Sequence, residues 1–217
     1  MNNLNLITKY FYPHRILDIG SRVGEFYQIC KNTYPSSYYF LIEGNKFCDP
    51  YIKKLGVDYA IELLSDSTKQ IEFYLNNKDI LSTGSSYYRE CNTDYFSGDN
   101  LIKDVRTTTT LNDMFTEDSV FDLIKIDTQG SELDIIKGGL NLINNSKGLL
   151  LECSLTNCNE NAPLFDKVKE YLETKLNNIS LLNFYYGKLD LKDSDAASKF
   201  RLIDVTGKQY KWTPAYI

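Results

Sequence analysis

The segment that most constrains this chain is residues 121–139, FDLIKIDTQGSELDIIKGG. An apolar, β-branched run carries Lys125 inside it, ends on Asp127, turns through a glycine and leads into a helix that begins near Glu132. A buried strand excludes an unpaired ammonium, because its desolvation is costly. Open α/β sheets place their ligands at the carboxyl ends of their strands. The segment therefore predicts a strand and a helix built around a site, with Lys125 either in that site or in a buried structural ion pair.

Apolar strands alternate with amphipathic stretches along all 217 residues. This alternation is typical of an α/β fold with a doubly wound, Rossmann-like sheet. We expect a mostly parallel sheet that ends in a C-terminal antiparallel hairpin, and one domain over residues 1–217. Strands are predicted at 15–19, 38–42, 57–64, 69–75, 122–127, 148–153 and 179–186, with hairpin arms at 200–205 and 209–212, and helices at 24–34, 132–142 and 163–176. Residues 76–104 are polar and lack periodicity, which predicts a long functional loop.

The amino-acid composition narrows the classes of function that we expect of this chain. The formal net charge of −5 argues against a broad nucleic-acid surface, which needs a basic face. The apolar stretches are too short to span a membrane. Five scattered cysteines and a single histidine offer no zinc-binding pattern, and we expect reduced thiols. The N-terminus shows no signal-peptide pattern, so a cytoplasmic protein is predicted.

The loop after the first strand is predicted to bind a ligand. It reads Asp18-Ile-Gly20-Ser21-Arg-Val-Gly24, with a helix following it. Glycines let a backbone approach a ligand closely, and a helix N-terminus offers free N–H groups. The spacing D-x-G-x-x-x-G differs from the G-x-G-x-x-G of dinucleotide binders and better suits a ligand with a positive methionyl end and no phosphates. A plain strand-turn-helix connection is the alternative.

Two further strand ends add polar groups. Glu43 follows the second strand, where a carboxylate can accept hydrogen bonds from two ribose hydroxyls. Ser65 and Asp66 follow the third strand and are placed to contact an adenine edge. The alternatives are a solvated acid at position 43 and an ordinary turn pair at 65–66.

These motifs resemble the S-adenosylmethionine site of class I methyltransferases. With residues 64–66, 71–74, 109–113 and above all 121–138, the chain resembles the FkbM-type methyltransferase family over about residues 15–153. The resemblance implies a Rossmann-like methyltransferase sheet and S-adenosylmethionine-dependent O-methylation, often of sugars or polyketide-derived hydroxyls. The cofactor residues it implies are Asp18, Gly20, Ser21, Gly24, Glu43, Ser65, Asp66 and Asp127.

The chain also departs from this family pattern. Ser21-Arg22-Val23 stands where relatives typically carry a small residue, an asparagine and an aliphatic residue. Gln129 replaces the acid that commonly precedes the glycine. Nothing after residue 155 matches a pattern that would identify the acceptor.

Four residues are predicted to carry the chemistry. Strand alternation puts Lys125 and Asp127 on one side, Glu152 ends the next strand, and Glu132 reaches back from the first turn of its helix. A weakly acidic hydroxyl needs a base or a metal ion. Asp127, Glu132 or Glu152 could be the base, with Lys125 orienting the carboxylates, stabilising an alkoxide or acting as base if burial lowers its pKa.

In the other version Asp127 and Glu152 hold a divalent cation such as magnesium or manganese. Structural alternatives stay open for each group, among them helix capping for Glu132. On this interpretation residues 15–75 hold the cofactor, 121–153 carry the catalytic strand and helix, and 76–106 and 179–217 select the acceptor. Tyr87, Tyr88, Tyr185 and Tyr186 are candidates for stacking on a sugar ring.

The predicted function is methyl transfer to a hydroxyl of a sugar or glycan, with a carbohydrate or another hydroxyl-bearing acceptor as partner and no nucleic acid or membrane. The alternatives are a non-catalytic scaffold that keeps the fold and an O-methyltransferase for a non-sugar hydroxyl. A nucleotide-dependent oxidoreductase is disfavoured, because the chain lacks G-x-G-x-x-G.

Overall fold

A computed structural model of the chain describes residues 4–176, 180–184 and 198–204. The strands within these ranges are β1 (Arg15–Ile19), β2 (Tyr38–Ile42), β3 (Asp58–Ala60), β4 (Leu63–Leu64), β5 (Gln70–Asn76), β6 (Leu101–Thr109), β7 (Leu123–Ile126), β8 (Gly148–Ser154), β9 (Ser180–Phe184) and β10 (Ser198–Asp204). The α-helices are α1 (Leu4–Ile7), α2 (Glu25–Thr33), α3 (Asp49–Ile52), α4 (Leu111–Met114), α5 (Glu132–Gly138), α6 (Leu140–Asn144) and α7 (Phe165–Lys175).

The main sheet has the strand order β3-β2-β1-β7-β8-β10-β9. The first five of these strands run parallel, and β10 lies antiparallel to both β8 and β9. The predicted mostly parallel, doubly wound sheet is therefore confirmed. The antiparallel strand β10 pairs with β9. The hairpin arm predicted at 209–212 lies outside the described residues.

The chain runs outward from β1 through β2 to β3 and later returns to β7 on the opposite side of β1. The strand order thus reverses between β1 and β7. In open α/β sheets this reversal leaves a crevice at the carboxyl ends of the two strands, where ligands bind. The predicted glycine loop and Asp127 both follow these strand ends.

Side chains on the two faces of the sheet enter different cores. Leu17, Ile124 and Ile126 pack with α5 and α7 on one face. Ile16 and Leu123 pack with α1, α2 and α3 on the other face. Asp18 and Lys125 point to this second face, since side chains alternate along a strand and Asp18 pairs with Lys125 in the parallel register of β1 and β7.

The predicted third strand, 57–64, is divided in the structure. Only β3 joins the main sheet, whereas β4 pairs with β6 in a separate three-stranded sheet of order β4-β6-β5. The division follows from burial, because Leu63 packs against Phe73 and Tyr87 in a small core of its own. The predicted strand at 69–75 is confirmed as β5.

The long loop predicted at 76–104 is shorter than expected, because β6 begins at Leu101 and pairs with the whole of β5. The helix predicted at 132–142 is interrupted at Gly139, directly after Gly138 at the end of α5. A Cβ at Gly138 would lie 2.2 Å from the backbone oxygen of Ser65, and one at Gly139 would lie 2.4 Å from the Leu111 side chain. The glycines thus let the helical segment approach its neighbours closely. No helix among the described residues is long and apolar enough to cross a membrane.

Candidate active site

The loop between β1 and α2 brings two strand ends into contact. Gly20 has a φ of 73°, and a Cβ there would lie 1.8 Å from the carbonyl oxygen of Asp127. No other residue fits this approach, so the glycine is required for β1 and β7 to end side by side. Gly24, with a φ of 91°, precedes α2, and no side chain caps this helix N-terminus.

A cavity of about 360 Å³ opens at the carboxyl ends of β1, β2 and β7. Of the predicted cofactor residues, Gly20, Ser21, Glu43 and Asp127 line it. The Ser21 hydroxyl oxygen is buried and finds no hydrogen-bond partner among the described residues. A buried hydroxyl without a partner is unfavourable, and a ligand in the cavity would supply one.

Glu43 lies almost fully buried at the wall of this cavity. One carboxylate oxygen accepts the backbone N–H of Arg22 and the other accepts that of Asn45, both at 2.7 Å. Burial raises the pKa of Glu43, and the two backbone hydrogen bonds oppose that rise. A carboxylate oxygen has two acceptor positions, so each oxygen retains one for a ligand hydroxyl.

Lys125 forms the centre of a buried charged cluster. Its ammonium lies 3.2 Å from an oxygen of Asp18, 3.3 Å from an oxygen of Asp127, and donates to the carbonyl of Gly20 at 2.9 Å. The predicted placement of Lys125 and Asp127 on one side of their strand agrees with this contact. Asp18 is fully buried and does not line the cavity, so it contacts the lysine rather than the space where a cofactor would lie.

The pKa values in this cluster bear on whether Lys125 can act as a catalytic base. Burial alone disfavours the ammonium, but the carboxylates of Asp127 and Asp18 outweigh it and raise the pKa of Lys125. Burial also raises the pKa of Asp18, although the lysine charge opposes this. A raised pKa does not favour Lys125 as a catalytic base, and the structure places its ammonium in the buried ion pair that was the alternative.

Asp127 differs from its neighbours because its side chain is 21% exposed and faces the cavity. Gln129 donates to its second oxygen at 3.0 Å. Gln129 itself has a φ of 58°, in the left-handed region, and also lines the cavity. Asp127 is therefore fixed by a lysine on one side and an amide on the other.

Glu132 folds back onto the turn before its own helix. Its carboxylate accepts the backbone N–H of Thr128 at 2.9 Å and that of Gly130 at 3.0 Å. Burial raises the pKa of Glu132 to about 7, despite these hydrogen bonds. Glu132 does not line the cavity, and its contacts are structural: it binds the turn before its helix, where the predicted alternative was capping of the helix itself.

Glu152 lies on β8 in the position predicted for it. Ile126 pairs with Leu151 in the parallel register of β7 and β8, which places Glu152 beside Asp127 along the sheet edge. Glu152 does not line the cavity. Within the described ranges, no group of three or more His, Cys, Asp or Glu side chains lies close enough to hold a metal ion. The described residues thus complete no set of three ligands, and the metal site at Asp127 and Glu152 stays a prediction.

Ser65 and Asp66 are not brought to the cavity. They follow β4, which leaves the main sheet, and Asp66 forms a partly exposed ion pair with Lys69 at 2.7 Å. The predicted adenine contact at this position therefore has no place in the cavity described. Residues 62–64 line the cavity instead, together with Asn45.

Residues 82–87, which belong to the predicted long loop, form one wall of the cavity. Tyr87 lines it, and the hydroxyls of Tyr87 and Tyr88 both donate to one oxygen of Asp134, at 3.2 and 2.8 Å. Asp134 was not predicted, because a contact over 46 residues leaves no local sequence pattern. Of the other two tyrosines predicted to stack on a sugar, 185 and 186, nothing is described.

The strand order, the glycine loop and the acidic groups at the ends of β2 and β7 together define a Rossmann-like methyltransferase. The chain matches the family described as Methyltransferase FkbM domain over residues 18–179, more than half of its length. This protein belongs to the FkbM methyltransferase family. No curated protein matches it.

Solved structures share the fold at low identity. One is the methyltransferase FkbM from Methylobacillus flagellatus KT, with 13% identity and a TM-score of 0.56, covering 88% of this chain and 43% of that one. Another is the plantazolicin methyltransferase BpumL in complex with SAH, with 12% identity, a TM-score of 0.52, and coverage of 93% and 79%. The hMettl16 catalytic domain in complex with the MAT2A 3'UTR hairpin 1 has 13% identity, a TM-score of 0.53, and coverage of 100% and 72%. The chain spans less than half the length of the FkbM structure.

Lys125→Met should destabilise the protein strongly. The substitution leaves the fully buried Asp18 carboxylate without its cation, which typically costs about 3–5 kcal/mol of unfolding free energy. Urea unfolding monitored by circular dichroism measures the loss. The matched double variant Asp18→Asn/Lys125→Met removes both charges and should recover at least half of it. A double variant no more stable than the single one would contradict the ion-pair interpretation.

Glu132 should make stability depend on pH. Its pKa is about 7 in the folded protein and close to 4.5 in an unfolded chain, so the folded state binds the proton more tightly. This contribution is fully present below pH 4.5 and is lost as the pH rises through 7. The unfolding free energy of wild type relative to Glu132→Gln should therefore fall by on the order of 1–3 kcal/mol between these limits. Urea unfolding of both proteins at several pH values tests this; parallel pH profiles would exclude it.

Proposed function

We propose that this protein is an S-adenosylmethionine-dependent O-methyltransferase that methylates a hydroxyl of a sugar or glycan. The observation that carries the proposal is the Glu43 carboxylate at the wall of the cavity beside the glycine loop. Two backbone N–H groups hold this carboxylate in place, and its remaining acceptor positions match two adjacent ribose hydroxyls. Nucleoside-binding α/β sheets recognise a ribose with an acidic side chain in this position, at the end of the second strand.

The residues that line the cavity fit this cofactor. Gly20 keeps the loop backbone free of a side chain, and the unpartnered hydroxyl of Ser21 offers a hydrogen bond to a polar group. Asp127 offers a negative charge to a methionyl ammonium. The apolar side chains of Leu63, Leu64 and Phe73 line the same cavity and suit a purine ring.

The bound cofactor supplies an electrophilic methyl group on a sulfonium. The chain then has to orient the acceptor and accept its proton. We assign the proton to a carboxylate oxygen of Asp127, because this is the one group of the charged cluster that is both partly exposed and in the cavity wall. Lys125 holds one oxygen of this carboxylate in place, and Gln129 holds the other.

The nature of the acceptor is part of the same proposal. The segment over the cavity carries serine and threonine hydroxyls at 82, 83, 85 and 86, which can bond to a polyhydroxyl ligand. The net charge of −5 favours a partner other than nucleic acid. We also propose that the protein acts in the cytoplasm, as its cysteines are free thiols.

A second candidate is a non-catalytic module that binds the cofactor. Its support is that Lys125 and Glu132, both proposed for the chemistry, are engaged in structural contacts. Under this alternative Asp127 does no chemistry and serves only the cluster around Lys125.

Glu43→Ala should abolish most cofactor affinity. Loss of two hydrogen bonds to a charged acceptor, at about 1.5–3 kcal/mol each, predicts a Kd for S-adenosylhomocysteine at least about 100-fold weaker. Isothermal titration calorimetry measures this, with Glu72→Ala as the matched control, since Glu72 is a partly exposed acid that does not line the cavity. Equal affinity in wild type and Glu43→Ala, in proteins that unfold at similar temperatures, would remove the basis of the proposal.

Asp127→Asn should separate the two candidate functions. A lost general base lowers turnover by about 10²–10⁴-fold. Turnover is measured at saturating S-adenosylmethionine, because the substitution also removes the charge proposed to face the methionyl ammonium and so weakens cofactor binding. The assay measures methyl transfer as the increase in mass of a glycoside when it gains one methyl group. Unchanged turnover in Asp127→Asn would rule out Asp127 as base, and no transfer to any glycoside by wild type would favour the non-catalytic module.

A further inference from the structure

A second cavity of about 610 Å³ adjoins the first one. The two share Arg22, Ser82, Thr83 and Gln129 in their walls. The second cavity lies beyond the ends of β7 and β8, since Gln129 follows β7 and Ser154 ends β8. Its outer wall comes from residues 79–100 and 158–159.

The shared wall lies next to the proposed base. Gln129 lines both cavities and donates its amide N–H to Asp127, which lines the first. A hydroxyl held in the second cavity at this wall would lie near the Asp127 carboxylate, the group proposed to accept its proton. We infer that the second cavity is the acceptor site, an inference that rests on the proposed function.

The charges in the second cavity restrict the acceptor. Three carboxylates line it, at Asp79, Glu90 and Asp94. Arg22, the single cation that the described residues place in this wall, is already engaged, because its guanidinium donates to the Leu81 carbonyl at 2.6 Å and pairs with Glu25. A phosphate or carboxylate on the ligand would meet a negative field here, whereas an ammonium would be attracted.

Neutral groups in the same wall complete the pattern. The amides at 92, 100, 129 and 159 and the hydroxyls at 82, 83, 93 and 154 supply both donors and acceptors, as several ligand hydroxyls require. The ring of Tyr95 is 39% exposed beside them and offers a face for stacking. The acceptor class is thus a polyhydroxyl compound that is neutral or carries an amine, such as an amino sugar, and not a phosphorylated one.

The test compares three sugars on protein saturated with S-adenosylhomocysteine: glucosamine, glucose and glucose 6-phosphate. Saturation-transfer NMR gives an apparent Kd for each. Glucosamine should bind most tightly, and glucose 6-phosphate at least about 10-fold more weakly. Equal or tighter binding of the phosphate, or no binding of any of the three sugars, would overturn the inference.

Two charge-reversal variants locate the site. Asp94→Lys should weaken glucosamine about 3- to 10-fold, as expected for a change of two charges near a solvated ligand. Asp99→Lys is the matched control, since Asp99 is an exposed acid on the same segment outside both cavities. Equal effects of the two variants would place the sugar elsewhere. Binding of S-adenosylhomocysteine, measured in parallel, separates the two failures: its loss in wild type refutes the proposed function, whereas its retention confines a failure to the acceptor site.

Discussion

The interaction on which the site depends is the contact of the Lys125 ammonium with Asp18, Asp127 and the Gly20 carbonyl. It links the ends of β1 and β7 where the strand order reverses, so one cation fixes the glycine loop and the proposed base relative to each other. The cost of burying the cation is offset only if all of these partners are present. This accounts for a lysine in an otherwise apolar strand, and it means that the position of Asp127 and the shape of the cofactor cavity are not independent.

Much of this arrangement could be predicted from local patterns. The two-residue period of strands put Lys125 and Asp127 on one side, and the alternation of strands and helices gave the parallel sheet. Glu43 and the glycine loop could be placed because each follows a strand directly, and parallel strands end at the same edge. What these features share is that sequence position alone determines where the side chain lies.

Other features depend on pairings that local sequence does not encode. Asp18 is the partner of Lys125 because β1 and β7 pair in one register, although the two residues are 107 positions apart. The strand predicted at 57–64 is divided between two sheets, since alternation reveals a strand but not the sheet that it joins. For the predicted metal site, adjacent strands bring Asp127 and Glu152 side by side, and the described residues complete no group of three such ligands.

The two departures from the family pattern, Arg22 and Gln129, lie in the wall between the cavities. Both have left-handed φ values, 50° and 58°, a conformation that asparagine tolerates better than most residues. Arg22 adopts this strained conformation, and its side chain is long enough to contact the segment over the cavity. Its guanidinium donates to the Leu81 carbonyl and so connects the glycine loop to that segment. A neutral amide at position 129 donates to Asp127, where an acid would repel it. Both departures thus lie where the proposed cofactor and acceptor sites meet, so substitutions at these positions can affect the acceptor that we propose for the second cavity.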